Sequence, residues 1–380
     1  KPFYRGGLDG PQGLAMHTRS DLPILERHTK SLSPSCTACA DGRKLVLFVT
    51  GVCDTGCFYC PLSDKRNQNP AMYANERLCL GANAAELAEQ VLEEAHAQGA
   101  TGMGVTGGDP MLVPELTVEM IRRVKGAMGP EFDVHLYTSK HPSDEVLAAL
   151  KGAGLNEIRF HPHESHWMRL KGSPFERAIL HARAVGLRVG FEVPAIPGVE
   201  PGLRALLEFA RKLAVDYVNL NELEYTHTNG EELERRSLRV AADSGAAIQG
   251  SRELALKLVA ELGGSLPLHY CSSRFKDAVQ LANRVKRRAE RTARPLDLIS
   301  REGLIVLGII EARDPAATAN MLVEEFEVPS ELVAIDPVRS RVEVAAWVLE
   351  ELAAELTEKC FIIERYPTAE ALEVERSPLN

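Results

Sequence analysis

From residue 44 onward, hydrophobic positions follow two alternating rhythms. Short apolar runs, rich in β-branched and aromatic residues, predict strands at 44–50 (KLVLFVT), 102–106 (GMGVT), 132–138 (FDVHLYT), 156–160 (NEIRF), 187–193 (LRVGFEV) and 215–220 (VDYVNL). Between them, apolar residues recur at helical spacing, as in Leu87, Val91, Leu92 and Ala95. That pattern predicts helices at about 85–98, 115–127, 143–153, 174–185 and 201–213. A helix at about 251–262 leads to a seventh strand from Leu266 to Tyr270. Repeated strand–helix units imply an α/β fold with parallel strands and right-handed crossovers.

The rhythm then changes. The segment 274–294 (RFKDAVQLANRVKRRAERTAR) reads as one basic amphipathic helix. After Pro295 come a strand at 304–311, a helix at 315–326, strands at 332–336 and 341–344, a helix at 345–357 and a strand at 360–365. The order β-α-β-β-α-β is ferredoxin-like. Four regions are expected: an irregular N-terminal extension (1–43) with a C-x2-C pair, an α/β unit (44–273), a basic linker helix (274–295) and a C-terminal ferredoxin-like α+β domain (296–380).

Composition narrows the class. The chain has 380 residues, enough for a large core, with 45% hydrophobic and 26% charged residues, ordinary for a globular protein. No apolar run is long enough to span a bilayer and no signal-peptide pattern opens the chain, so a cytoplasmic protein with no membrane partner is expected. In that setting, eight Cys point to metal ligation or redox chemistry rather than a disulfide framework. A net charge of −9 argues against nonspecific nucleic-acid binding over the whole surface, though not against a local basic patch.

The densest chemistry is Gly51-Val52-Cys53-Asp54-Thr55-Gly56-Cys57-Phe58-Tyr59-Cys60-Pro61, at the end of the first strand of the α/β unit. Three thiolates spaced C-x3-C-x2-C can converge on one metal centre. Three ligands on a four-iron cube leave one iron open to a small molecule, whereas electron-transfer clusters are closed by four Cys. The rival reading is a structural zinc knuckle with a fourth ligand elsewhere. After the second strand comes Val105-Thr106-Gly107-Gly108-Asp109-Pro110, in which two glycines permit close backbone approach and an acid can hold an ammonium group.

At these residues the chain resembles the radical S-adenosylmethionine (SAM) superfamily, whose signature is C-x3-C-x-aromatic-C on the loop after the first strand of a partial (β/α) barrel. The resemblance implies a [4Fe–4S] cluster on Cys53, Cys57 and Cys60. It also implies SAM bound at the open iron, and reductive cleavage of SAM to methionine and a 5′-deoxyadenosyl radical. Such chemistry needs an electron donor such as a ferredoxin or flavodoxin. Thr106, Gly107, Gly108 and Asp109 look like the family's Gly-Gly-Glu motif, with Asp109 near the methionyl ammonium. Tyr59 looks like the residue whose backbone meets adenine. Tyr137, Thr138 and Ser139, at a strand end, suit the ribose hydroxyls or the SAM carboxylate. Val193 and Ile196 resemble a late apolar adenine contact. Strings such as KLVLFVTGVCDTGCFYCPLSDKR, EIRFHP and ERYPTAEALEVER are similar to an archaeal family related to pyruvate formate-lyase activating enzyme.

Polar residues past other strand ends face the reaction chamber in barrels, which makes Arg159, His161, Asn221 and Glu222 the substrate-side candidates. Cys36 and Cys39, read as lying on a loop, form a half-site that Cys271, with Cys79 or His269, would complete as a second zinc or iron–sulfur site; four unrelated thiols are the alternative. Arg284, Arg287, Arg288 and Arg291 share a helix face and form a phosphate-contact stripe if the substrate is RNA; a solvated face is the alternative. The expected function is hydrogen-atom abstraction from RNA, such as tRNA, or from a small metabolite. Glycyl-radical-type activation of a protein and a nonenzymatic metal-binding module are the other readings.

Overall fold

A computed structural model of the chain describes residues 26–380; residues 1–25 of the expected extension lie outside the described residues. One sheet holds ten strands: β1 (Glu26–His28), β2 (Lys44–Phe48), β3 (Met72–Ala74), β4 (Arg77–Cys79), β5 (Gly102–Thr106), β6 (Asp133–Thr138), β7 (Glu157–Phe160), β8 (Arg188–Ala195), β9 (Tyr217–Glu222) and β10 (Leu268–Cys271). Their order is β1-β10-β9-β8-β7-β6-β5-β2-β3-β4. From β2 through β5 to β10 every neighbouring pair is parallel. β1 and the β3–β4 hairpin border this run antiparallel. Helices Ala84–Gln98, Pro114–Met128, Asp144–Gly152, Pro174–Ala184, Glu200–Lys212 and Ser251–Leu262 connect the parallel strands. This is a partial (β/α) barrel.

Strand alternation divides its two faces. Leu45, Leu47, Val134, Leu136, Ile158, Phe160, Val189, Phe191, Val218 and Leu220 are fully buried in the core shared with the helices. The opposite parity carries Lys44, Tyr137, Arg159, Glu192, Asn219, Asn221 and His269, which line the barrel's interior. The inner face is therefore polar, an expensive arrangement unless each group finds a partner.

A second sheet contains β11 (Leu298–Ile299), β12 (Ile305–Glu311), β13 (Val333–Asp336), β14 (Arg341–Val344), β15 (Lys359–Arg365) and β16 (Glu373–Pro378). The order β13-β14-β12-β15, all antiparallel, with helices Pro315–Glu324 and Ala346–Leu352, is the ferredoxin-like arrangement. β16 adds an edge strand through β15. Its residues (EVERSP) are mostly exposed and show no apolar alternation, which hid it from the sequence reading. Among the described residues no helix is long and apolar enough to cross a membrane.

Three expectations are corrected. Residues 26–43 are not irregular: they hold β1 and a helix, Pro34–Ala40, capped by Ser33 Oγ accepting from Cys36 N at 3.0 Å. Cys36 and Cys39 are thus on a helix, too short and too polar to show periodicity. The basic segment is not one α-helix either, because a π-turn (Lys276–Leu281) separates Ser273–Phe275 from Ala282–Thr292. Finally, the four arginines face protein. Arg284 pairs with Glu76, and Arg288 pairs with buried Glu94 at 2.6 Å and donates to Pro367 O at 2.5 Å. Arg287 donates to Gly99 O and Arg291 to His96 O, each at 3.2 Å. Those carbonyls end helix Ala84–Gln98, where the helix dipole attracts cations. Each of the four arginines of the expected RNA stripe is thus engaged by a protein group, Arg291 while exposed and the other three while half-buried.

Candidate active site

The Cys loop leaves the carboxyl end of β2 and is zipped to the Gly-Gly-Asp turn after β5. Val49 N donates to Thr106 O (2.9 Å), Gly108 N to Thr50 O (2.6 Å) and Asp109 N to Val52 O (2.9 Å). A Cβ on Gly108 would sit 2.2 Å from Val52 O, and one on Gly51 would sit 1.7 Å from Arg66 O. The glycines thus serve backbone–backbone approach as the loops cross. Together the loops wall a chamber of about 710 Å³ at the carboxyl ends of the strands, where (β/α) barrels place their chemistry.

Cys53, Cys57 and Cys60 line this chamber as half-buried free thiols. Burial, with Glu164 and the two sister thiols adding to it, pushes Cys57 up to about 11. Burial and Cys53 also raise Cys60. Thiols so placed keep their protons until a metal displaces them, so this donor set suits an iron–sulfur centre. Among the described residues, no three His, Cys, Asp or Glu side chains close around the position of a single ion.

Other sequence-derived candidates divide. Thr106, Gly107, Gly108, Thr138, Ser139, His161 and Asn221 all line the chamber. Tyr59 is buried; its Oη donates to His161 Nε2 (3.1 Å), while His161 Nδ1 donates to Glu192 O (2.5 Å). Burial holds His161 below its ordinary value, so both bonds involve the neutral ring. Tyr137 reaches the chamber, but its hydroxyl turns inward to His135 Nε2 (2.9 Å) and Lys44 Nζ (3.4 Å). Glu222 is at the chamber edge, its carboxylate taken by Tyr270 Oη and by Ser273 N and Oγ, at 2.9, 3.0 and 2.9 Å.

Several candidates are corrected. Asp109 lines the chamber yet is 1% exposed, and both oxygens are occupied. Oδ1 accepts from Met111 N (2.9 Å) and Thr138 Oγ1 (2.8 Å), and Oδ2 from Ser139 N (2.7 Å) and Ser139 Oγ (2.6 Å). It ties the β5 turn to the end of β6, which leaves it poorly placed as an ammonium partner. Asp109→Ala should therefore lower stability, by about 2–3 kcal/mol in a denaturant titration, rather than weaken SAM binding alone. Weakened SAM affinity at unchanged stability would restore the ammonium role.

Val193 and Ile196 are buried in the core and line no part of the chamber. On β8 the inward parity belongs to Glu192 and Pro194, which do line it. Arg159 is not free for substrate. It donates to Glu157, to Glu192 Oε2 (2.8 Å), to Ser33 Oγ (2.7 Å) and to Cys36 Sγ (3.4 Å). Cys36, Cys39, His269 and Cys271 do share a cavity, lower in the barrel, but Cys79 is on β4 at the far edge of the sheet and does not line it.

Three interior residues escaped the sequence reading. Glu192 and Lys276 line both cavities, and Lys44 lines the lower one. For Glu192 and Lys44 the overlooked signal was a charge within an apolar strand at the parity facing away from the helices.

Comparison with known proteins matches these features. The radical SAM superfamily model matches residues 47–210, and a model described as a domain of unknown function matches 303–379. A relative from Methanocaldococcus jannaschii, named as a glycyl-radical enzyme activating enzyme, is 36% identical over 376 residues, covering 93% of this chain and 95% of its own. Solved structures with similar folds include methylornithine synthase (TM-score 0.42, 14% identity, 65% of this chain and 74% of that one). SuiB of Streptococcus suis bound to SAM is another (TM-score 0.40, 13% identity, 61% and 50%). These structural likenesses are too distant to bear on the chemistry. With the Cys loop, the parallel barrel and a relative matched over nearly its whole length, the chain belongs to the radical SAM superfamily, an enzyme of [4Fe–4S] cluster and SAM related to the glycyl-radical activases.

Proposed function

We propose that Cys53, Cys57 and Cys60 hold the [4Fe–4S] cluster, and that the enzyme abstracts a hydrogen atom from a small metabolite in the chamber beside them. The observation that carries this reading is the zipped pair of loops, which presents three thiols to a 710 Å³ chamber at the barrel mouth. When bound, the cluster supplies one electron that cleaves SAM to methionine and a 5′-deoxyadenosyl radical.

The chain's own residues do the rest. Thr106 and the backbone of Gly107 and Gly108 offer polar contacts to SAM along the β5 turn. Asp109 positions Thr138 and Ser139. The Tyr59–His161–Glu192 chain fixes the loop aromatic against β8. Asn221, with one amide hydrogen on Glu192 (2.9 Å), has capacity left for substrate. Phe58, under the Arg236 guanidinium at 4.1 Å, helps exclude water.

An electron donor such as a ferredoxin or flavodoxin is the expected partner. The relative's name favours a second reading, in which the hydrogen comes from a glycine of a partner protein. RNA held by the arginine stripe loses its support, because those side chains bind protein groups. The test is an anaerobic, reductant-driven reaction with separated metabolite, protein and RNA fractions of cell extract, scored for 5′-deoxyadenosine above the no-substrate level. Stimulation by the protein fraction alone selects the activase reading, and stimulation by RNA alone overturns both.

A further inference from the structure

Beneath the chamber the barrel interior holds a second, half-open cavity of about 310 Å³. The two share Tyr137, Glu192, Asn221 and Lys276, so one molecule can extend through both. The lower wall is rich in cations: Lys44, Arg159, His269, Lys276 and Arg284. Four of these have carboxylate partners. Arg159 binds Glu157 and Glu192, His269 binds Glu26 at 3.1 Å, Lys276 binds Glu224 at 2.5 Å, and Arg284 binds Glu76.

Lys44 differs. Its polar contact is Tyr137 Oη at 3.4 Å, and burial keeps that phenol protonated. Among the described residues no carboxylate lies within 4.0 Å of its Nζ. The acidic groups that act on it are Cys39, the Tyr137 phenol and Cys36, and Arg159 opposes them; burial pushes Cys36 up, but Arg159, His269 and Lys44 together hold it down to about 6. An ammonium that lines a cavity with no carboxylate beside it, and with two further N–H donors to place, offers an anion a binding point. Lys276, with one carboxylate, also has donors left, and it stands at the passage between the cavities.

We propose that the lower cavity anchors the oxyanion of a small substrate, a carboxylate or a phosphate, held by Lys44 below and Lys276 at the passage, while the rest of the substrate rises into the chamber. This rests on the chamber's being the reaction site and adds the class of substrate. Glu192 stands in the same wall, but its charge is met by Arg159, Asn219 and Asn221 at 2.8–2.9 Å, so it separates the two storeys without repelling an anion at full strength. Two of the three thiols of this cavity already accept hydrogen bonds from protein groups. Cys36 Sγ accepts from Arg159 and Asn219, both at 3.4 Å, and Cys271 Sγ accepts from Gln280 at 3.5 Å.

The test is titration calorimetry on the reconstituted enzyme with inorganic phosphate and with succinate, against sodium chloride of equal ionic strength. Wild type should bind at least one of the two saturably, and which one binds separates phosphate from carboxylate substrates. Lys44→Met should weaken that binding by about tenfold or more. Lys276→Met, which leaves the barrel floor intact, should weaken it too and keeps the test informative if the first variant misfolds. No saturable binding by wild type, or wild-type affinity in both variants, overturns the proposal. So does iron or zinc that survives alanine at Cys53, Cys57 and Cys60 but is lost with serine at Cys36 and Cys271, because it gives the cavity to a metal. SAM cleavage without added substrate, measured on the same preparations, reports on the chamber independently of the anion result.

Discussion

Alanine at Cys53, Cys57 and Cys60 together should reduce 5′-deoxyadenosine formation to the background and take the iron content from about four atoms per chain to near none. The loss should be chemical and not a failure to fold. The loop is held by bonds that need no thiol: Gly51 N to Asn69 O (2.7 Å), Gln68 N to Gly51 O (3.0 Å) and Gln68 Nε2 to Cys53 O (2.6 Å). The zipper to the β5 turn is likewise made of backbone. Metal analysis and mass spectrometry after anaerobic reconstitution check the outcome, with circular dichroism as the folding control. Wild-type product from a folded triple variant would show that the cluster is held elsewhere.

Arg159→Met should be among the most destabilising single changes in the barrel, by about 3–5 kcal/mol at neutral pH. Arg159 is 1% exposed and is the hub for Glu157, Glu192, Ser33 and Cys36. Without it, Glu157 keeps Arg188 at 3.4 Å and Glu192 keeps two asparagine amides, too little for one buried and one half-buried carboxylate. The pH dependence has a definite sign. Burial pushes Glu192 up, but the Arg159 charge and hydrogen bonds from Asn221 and Arg159 outweigh it and hold the carboxyl at about 2. A depressed carboxyl stabilises the fold above its ordinary value of 4.5, and that stabilisation is lost as pH falls from there through about 2. The gap between variant and wild type should therefore be widest near neutrality and close in acid. Denaturant titrations at several pH values measure it; a gap under about 1 kcal/mol at pH 7, or one that widens in acid, contradicts the hub role.

Much of the architecture was legible along the chain. The seven parallel strands and the six helices between them fall within about two residues of the hydrophobic pattern, because each strand buries one full face against helices and each helix buries one stripe. The ferredoxin-like order after Pro295 was legible for the same reason. The short helix carrying Cys36, the β3–β4 hairpin and β16 were not. They are brief or polar, and tertiary contacts stabilise them where local pattern does not.

Local spacing along the chain also determined the chemistry. Three cysteines within eight residues at a strand end, and a Gly-Gly-Asp turn after the next strand, identify the radical SAM class without coordinates. Which polar residues face substrate was decided only in three dimensions. Arg159, Asp109, Glu222 and the four arginines of the basic segment read as free chemical groups, yet the fold supplies each with protein partners. Lys44 read as one more strand residue, yet it lines the barrel interior with no carboxylate within 4.0 Å among the described residues. A sequence states which charges a chain carries; whether a charge is satisfied depends on partners tens or hundreds of residues away, and only the closed barrel brings those together.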